Sequence, residues 1–184
     1  SYLQTPSNST WPYPQNAVVQ TNQLKGLITG TKTKIIGSVT YLYSVSFYDE
    51  KTRVVQVQST NVSGDSTIVT SQYGFAGQLL MNITREGKSN PNIQTTVVLS
   101  QMTYDSLQRL IKIEKKIGNT KVNGGAMPAS WTTVALREYD ALGQLRKKKL
   151  GVAPLDSLVY DYNRRGWLLG ANRNYVKDTT STIN

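Results

Sequence analysis

The 184-residue chain has no cysteine and no histidine. Disulfides, thiolate nucleophiles, Cys/His metal sites and imidazole acid–base catalysis are therefore excluded within it. The lack of thiols does not fix a compartment, because many exported bacterial proteins simply avoid them. Phenylalanine is scarce, with 2 Phe against 11 Tyr. No apolar run approaches the roughly 20 residues that a membrane-spanning helix needs. Acidic residues are the scarcer charge, 11 against 21 basic, giving a net charge of +10. Such an excess can serve an anionic partner. It also keeps a β-rich surface soluble and guards its edges, which is the reading preferred here. The chain starts with Ser and has no charged-then-apolar leader, as expected of a processed or excised piece of something longer.

What is present is a strand-and-turn vocabulary of Thr, Ser, Val, Gln, Asn and Tyr. The hydrophobic share of 38% fits a folded chain of one sizeable domain. Self-similarity organises it. The stretch YDALGQL, Tyr139 to Leu145, has four relatives: YDEKTRV from Tyr48, YGFAGQL from Tyr73, YDSLQRL from Tyr104 and YNRRGWL from Tyr162. Successive tyrosines are 25, 31, 35 and 23 residues apart. The shared pattern is Tyr, a turn-former, two free positions, usually Gly, then Arg, Gln or Trp, then Leu or Val.

Each position has a physical reason. Asp49, Asp105, Asp140 and Asn163 can accept a backbone N–H two residues on, which favours a turn there. Gly77, Gly143 and Gly166 suit the corner at which positive φ makes a bulge that folds two strands back in register. Tyr48, Tyr73, Tyr104, Tyr139 and Tyr162 would sit at the hairpin mouths, near the Leu or Val that ends each copy. The flanks agree: Tyr41, Tyr43, Val45 and Phe47 alternate with Leu42, Ser44 and Ser46. A helix competes over 105–118 and 141–150. The equivalent segment after Tyr48 is β-branched, however, and equivalent repeats should share one structure. The sequence therefore predicts an all-β, repeat-built antiparallel sheet of β-hairpins, strongly twisted, with a hairpin at every Tyr-Asp-type turn.

Along the chain, residues 1–22 read as an extended lead-in or linker, 23–176 as the five-repeat domain and 177–184 as a frayed tail or cut end. Residues 24–30 are expected to form a short strand bounded by glycines. Segments 87–91 (GKSNP) and 119–131 are expected to be loops.

The repeats resemble the RHS/YD-repeat family, and particularly RHS proteins of Bacteroidetes-type bacteria. LKGLITGTK at 24–32, FYDEKTRVVQVQSTN at 47–61, QYGFAGQLL at 72–80, EYDALGQL at 138–145 and YDYNRRGWLLGANRNYV at 160–176 carry the likeness. The resemblance implies strands of a long sheet that spirals into a hollow shell, often around a polymorphic C-terminal toxin, in an exported or cell-surface bacterial protein. There are departures: Gly74 replaces Asp in the second copy, and Thr52 and Gln108 replace Gly in the first and third. The repeats are too few to close a shell alone. The Asp-Pro-x-Gly type of sequence with which family members release the toxin is missing. The resemblance thus implies a non-enzymatic piece of the wall, partnered by the remainder of a larger RHS parent chain or by another protein chain through β-edge pairing.

Other chemistry is weakly represented. The aspartates Asp49, Asp105 and Asp140 lie far apart, without the dense spacing of a calcium loop, and are assigned to turns. No GxxxxGK[ST], GxSxG or HExxH occurs. Neither catalytic residues nor a metal or cofactor are expected. The best ligand contacts are Lys147, Lys148 and Lys149 with Trp131 and Trp167, as a possible glycan-binding module or a basic polyanion-binding surface. In a strand those lysines fall on both faces, which makes nucleic acid a poor fit. Packing is the plainer role for the aromatics. Three Asn-x-Ser/Thr triplets (at Asn8, Asn61 and Asn82) are common by chance.

Overall fold

The computed structural model describes residues 19–151 and 157–173. Its elements are eleven β-strands: β1 (Gly30–Lys34), β2 (Tyr41–Tyr48), β3 (Val54–Thr60), β4 (Ser66–Tyr73), β5 (Leu79–Lys88), β6 (Gln94–Tyr104), β7 (Leu110–Asn119), β8 (Thr132–Tyr139), β9 (Leu145–Leu150), β10 (Ser157–Tyr162) and β11 (Leu168–Ala171). They form one antiparallel sheet in sequential order, each strand beside its neighbours in the chain. The segments for which a helix competed, 105–118 and 141–150, contain turns followed by β7 and β9.

Two expected boundaries are corrected. Residues 24–29 are not a strand: Leu27 N–H donates to Leu24 O at 3.1 Å around Gly26 at φ 80°, and the strand begins at Gly30. Likewise Gly87 belongs to β5, opposite Thr95, and the loop is 89–93. A Cβ on Gly87 would collide with the Asp65 carboxylate, so glycine lets the neighbouring loop close over the strand. Asn61 Nδ2 donates to Gly87 O there at 2.7 Å. The expectations for residues 1–18 and 177–184 lie outside the described residues. Of the lead-in, Thr21 is docked: its N–H donates to Tyr48 O at 2.8 Å, and it is buried.

The chain divides into two compact units, residues 1–101 with 115–131, and residues 102–114 with 132–184. In the first unit, register aligns Phe47, Gln56, Thr70, Ile83 and Leu99 in one row across β2–β6. None of the five is more than 6% exposed. Gln72 and Met81 continue the same face. Two of the five in the row are polar, and their burial is tolerable because they are bonded to each other. Gln56 Nε2 donates to Thr70 Oγ1, and Gln58 Nε2 to Gln56 Oε1, both at 2.8 Å. Met81, Ile83 and Leu99 form the apolar centre, and Val97, Met127 and Trp131 pack against it. The last two come from the 120–131 loop, which Asn119 folds back by accepting the N–H groups of Lys121 and Val122. The second unit carries Ala135, at 5% exposure, as its one buried apolar residue among the described residues.

Candidate functional site: the tyrosine–aspartate turns

All five copies build the same turn. The N–H of the turn-former donates to the carbonyl four residues on, as in Asp49 to Arg53, Gly74 to Gln78, Asp105 to Arg109, Asp140 to Gln144 and Asn163 to Trp167, at 2.8–3.0 Å. The residue three positions on donates back to the turn-former's carbonyl and has positive φ: Thr52 59°, Gly77 93°, Gln108 66°, Gly143 82° and Gly166 80°. In four copies the side-chain Oδ1 accepts two more N–H groups, for example those of Leu142 and Gln144 on Asp140 and of Arg165 and Trp167 on Asn163. This is the Asx-type turn that the pattern of residues predicts. Gly74, without a side chain, closes on its backbone bonds alone, and Gln78 Oε1 occupies the space where a Cβ would stand.

The tyrosines at the mouths lie opposite the last residue of their own copies: Tyr48 faces Val54, Tyr73 Leu79, Tyr139 Leu145 and Tyr162 Leu168. Their hydroxyls reach the preceding hairpin instead. Tyr73 donates to Val54 O, Tyr139 to Leu110 O and Tyr162 to Leu145 O, at 3.0–3.1 Å. Each acceptor is the Val or Leu that follows the previous turn. Tyr48 donates to Ile28 O at 2.8 Å, tying the first copy to the segment before β1. The tyrosine is thus a stitch between repeats. Burial pushes the Tyr104 hydroxyl above its ordinary value, with Arg137 pulling weakly the other way.

Two arginines, at the position where the pattern has Arg, Gln or Trp but to which it gave no role, complete the array. Arg53 and Arg109 follow the non-glycine positions Thr52 and Gln108. Arg53 Nε donates to Asp49 Oδ2 at 2.7 Å, and Arg109 Nε to Asp105 Oδ2 at the same distance. Each guanidinium then crosses to the next hairpin of its own unit. Arg53 stacks 4.9 Å from the Tyr73 ring centre and donates to Gly74 O; Arg109 stacks 4.7 Å from Tyr139 and donates to Asp140 O. The signal was in the sequence: arginine stands at that position only in the copies that lack glycine before it. Partial burial pushes the Asp49 carboxyl up, but hydrogen bonds and charge from Arg53 outweigh this and hold it below the usual range. For Asp105 the backbone hydrogen bond from Arg109 leads, and the carboxyl is likewise lowered.

No family model matches the chain, and no curated protein matches it.

The remaining sequence candidates do not converge. Trp131 packs against the apolar centre of the first unit, with Lys116 Nζ 5.1 Å from its ring. Trp167, 65% exposed, sits at the tip of the last turn beside Arg165. Lys147 lies opposite Glu138 and Val159, Lys148 opposite Arg137 and Leu158, and Lys149 opposite Leu136 and Ser157. The run therefore alternates between faces. An open hollow of about 420 Å³ lies between the first two turns, lined by Asp49, Arg53, Tyr73 and Phe75 among others. Its cations are already engaged, Arg53 as above and Lys51 through the carbonyl and ring of Phe75. Among the described residues, no three His, Cys, Asp or Glu side chains are grouped so as to hold a metal ion. No helix among the described residues is long and apolar enough to cross a membrane.

Proposed function

We propose that the chain is a non-enzymatic structural segment of an exported, cell-surface RHS-type β-shell. In this reading it contributes wall strands to a larger parent chain whose C-terminal toxin or effector is encapsulated or presented. The observation that carries the reading is the stitch: five hairpins of one geometry, with tyrosine hydroxyls of later hairpins bonded to the carbonyl that ends the previous turn. The side chains that define the repeat are spent on joining hairpin to hairpin, as a wall requires and a catalytic centre does not. Among the described residues β11 is the last strand of the sheet, and it presents Leu168 and Leu169 at 57% and 51% exposure, ground suited to a further strand of the parent or of another chain.

The test is limited proteolysis of the parent protein. Deleting the hairpin from Tyr139 to Tyr162 with its flanking strands should expose the C-terminal region to cleavage at native pH. A C-terminal region that stays equally protected after the deletion would refute the wall role.

A further inference from the structure

We propose that Asn123 is a site of covalent self-modification: its side-chain amide deamidates through a cyclic imide with Gly124, and the change loosens the cover of the first unit. Asn123-Gly124 is the one Asn-Gly pair in the sequence. The attacking atom is the backbone nitrogen of the residue after asparagine. A side chain on that residue hinders its approach, and glycine has none. Elsewhere a side chain is always present, as in Asn61-Val62 and Asn82-Ile83. Both Asn123 and Gly124 are exposed in the 120–131 loop. Gly124 has φ 64°, with nothing within 4 Å of where a Cβ would stand. Among the described residues no acceptor engages the Gly124 N–H, so no bond has to break to free it. The carbonyl under attack is held in place: Asn123 Oδ1 accepts the Asn119 N–H at 2.7 Å. A backbone donor there polarises the carbonyl and stabilises the oxyanion that forms on attack.

The reaction needs only water and hydroxide. Gly124 N gives its proton to hydroxide and attacks Asn123 Cγ. As the N–Cγ bond forms, an electron pair passes to Oδ1; on its return the Cγ–Nδ2 bond breaks, and Nδ2, protonated by water, leaves as ammonia. Water then adds to either imide carbonyl and reopens the ring as aspartate or isoaspartate. Neither product keeps both bonds of the amide. Asn123 Nδ2 donates to Ile117 O at 3.1 Å, tying the loop to the end of β7. A carboxylate has no such donor and sets a negative charge against that carbonyl. Isoaspartate also lengthens the backbone by one atom, between the bonds from Asn123 N–H to Asn119 O and from Ala126 N–H to Asn123 O. The loop lies close on β7 there: a Cβ on Gly118 would stand 3.0 Å from Gly125 O. Met127 and Trp131, further along the same loop, pack against Met81, Ile83 and Leu99. A change at Asn123 is therefore felt at the apolar centre, and it marks the age of the chain irreversibly.

This site uses none of the repeat-defining side chains, so it stands or falls apart from the wall reading. The test incubates the full chain at 37 °C, at pH 7 and at pH 9, and follows it by peptide mass spectrometry. The peptide holding Asn123 should gain the mass of an amide turned into an acid, faster at pH 9. Peptides holding Asn61 and Asn82 should stay unchanged. Fragmentation of the product should show isoaspartate as well as aspartate. Asn123→Gln keeps an amide but would need a larger ring, and should abolish the gain. Native-state hydrogen exchange then compares aged with fresh protein. Amides of β5 and β6 around Met81 should exchange about tenfold faster after ageing, and those of β10 and β11 at the same rate. Asn123→Gln, aged, should match its own fresh sample. No mass gain in the folded chain would overturn the site; reaction of the same chain in urea would then show that the bonds to Asn119 and Ile117 protect the amide. An equal gain at Asn61 or Asn82 would also overturn it. A gain at Asn123 that leaves exchange in β5 and β6 unchanged would overturn the link to the cover.

Discussion

At the corner where the turn reverses, an L-residue with positive φ brings its Cβ against its own backbone, and a β-branched one suffers most. Three copies meet this with glycine and two do not: Thr52 at φ 59° and Gln108 at φ 66° carry side chains. Thr52→Gly should therefore stabilise the protein by about 1 kcal/mol, the relief of strain exceeding the extra freedom given to the unfolded chain. A denaturant melt with an unchanged slope measures it. Gly143→Val should do the opposite and cost roughly 1–3 kcal/mol. The added Cβ would lie 3.7 Å from Arg109 Nη1, an ordinary contact, so the loss belongs to the backbone. The carboxylates of the clamped turns set an acid limit. Asp49 and Asp105 have folded pKa values below their usual ones. The folded state then binds these protons more weakly than the unfolded state, so the clamps contribute fully above about pH 4 and fade as pH falls through the lowered values. Asp49→Asn should flatten the loss of stability below pH 4. An unchanged acid slope would show that Asp49 does not titrate on unfolding.

A hairpin with a good turn is still only marginally stable until it is joined to its neighbours. The joining is done by tyrosine hydroxyls and, in two copies, by arginine. Tyr162→Phe keeps the ring but leaves Leu145 O without that donor, and should cost about 1 kcal/mol. Arg53 makes three contacts at once, to Asp49, the Tyr73 ring and Gly74 O, so lysine is not a conservative replacement. Arg53→Lys should cost about 1 kcal/mol once solvent screening of the partly exposed pair is allowed for. A double-mutant cycle with Tyr73→Leu should return a coupling of about 0.5–1 kcal/mol. A coupling of zero would leave the arginine bonded only within its own turn.

The sequence showed these hairpins well and their joining poorly. Turn residues act locally, through side-chain bonds and φ, and both leave a composition at fixed offsets; Asp140 and Gly143 could be assigned without any fold. The strands β7 and β9 were legible for a different reason: their apolar spacing fits a helix alone, and only equivalence with the β-branched strand after Tyr48 decides against one. The stitch was not legible, since a tyrosine looks the same whether its hydroxyl faces water or the previous repeat. Nor was the return of the 120–131 loop, which rests on Asn119, a residue that also suits an ordinary turn. The strand expected at 24–30 failed because Gly26, taken as a boundary, is the corner of a turn.

In a sheet of sequential hairpins each strand touches only its neighbours, so stability is set locally by what covers each part. The cover is uneven. In the first unit a row from Phe47 to Leu99 is buried across five strands, backed by Met81 and closed by Met127 and Trp131. In the second, Ala135 is the one buried apolar residue among the described residues, and β11 is four residues long. A fully buried Leu or Ile contributes roughly 1.5–3 kcal/mol, whereas a backbone bond in a half-exposed strand contributes about 1. Native-state hydrogen exchange should therefore rank the strands by cover. Amides of β4–β6 around Met81 and Ile83 should exchange slowest, and those of β10 and β11 should open with the least free energy. Trp131→Ala tests the cause: removing this part of the cover should accelerate exchange in β5 and β6 by at least tenfold while leaving β10 and β11 unchanged. Equal acceleration in β10 and β11 would mean that the two units unfold as one, and that hairpin-to-hairpin stitching, more than local cover, governs cooperativity.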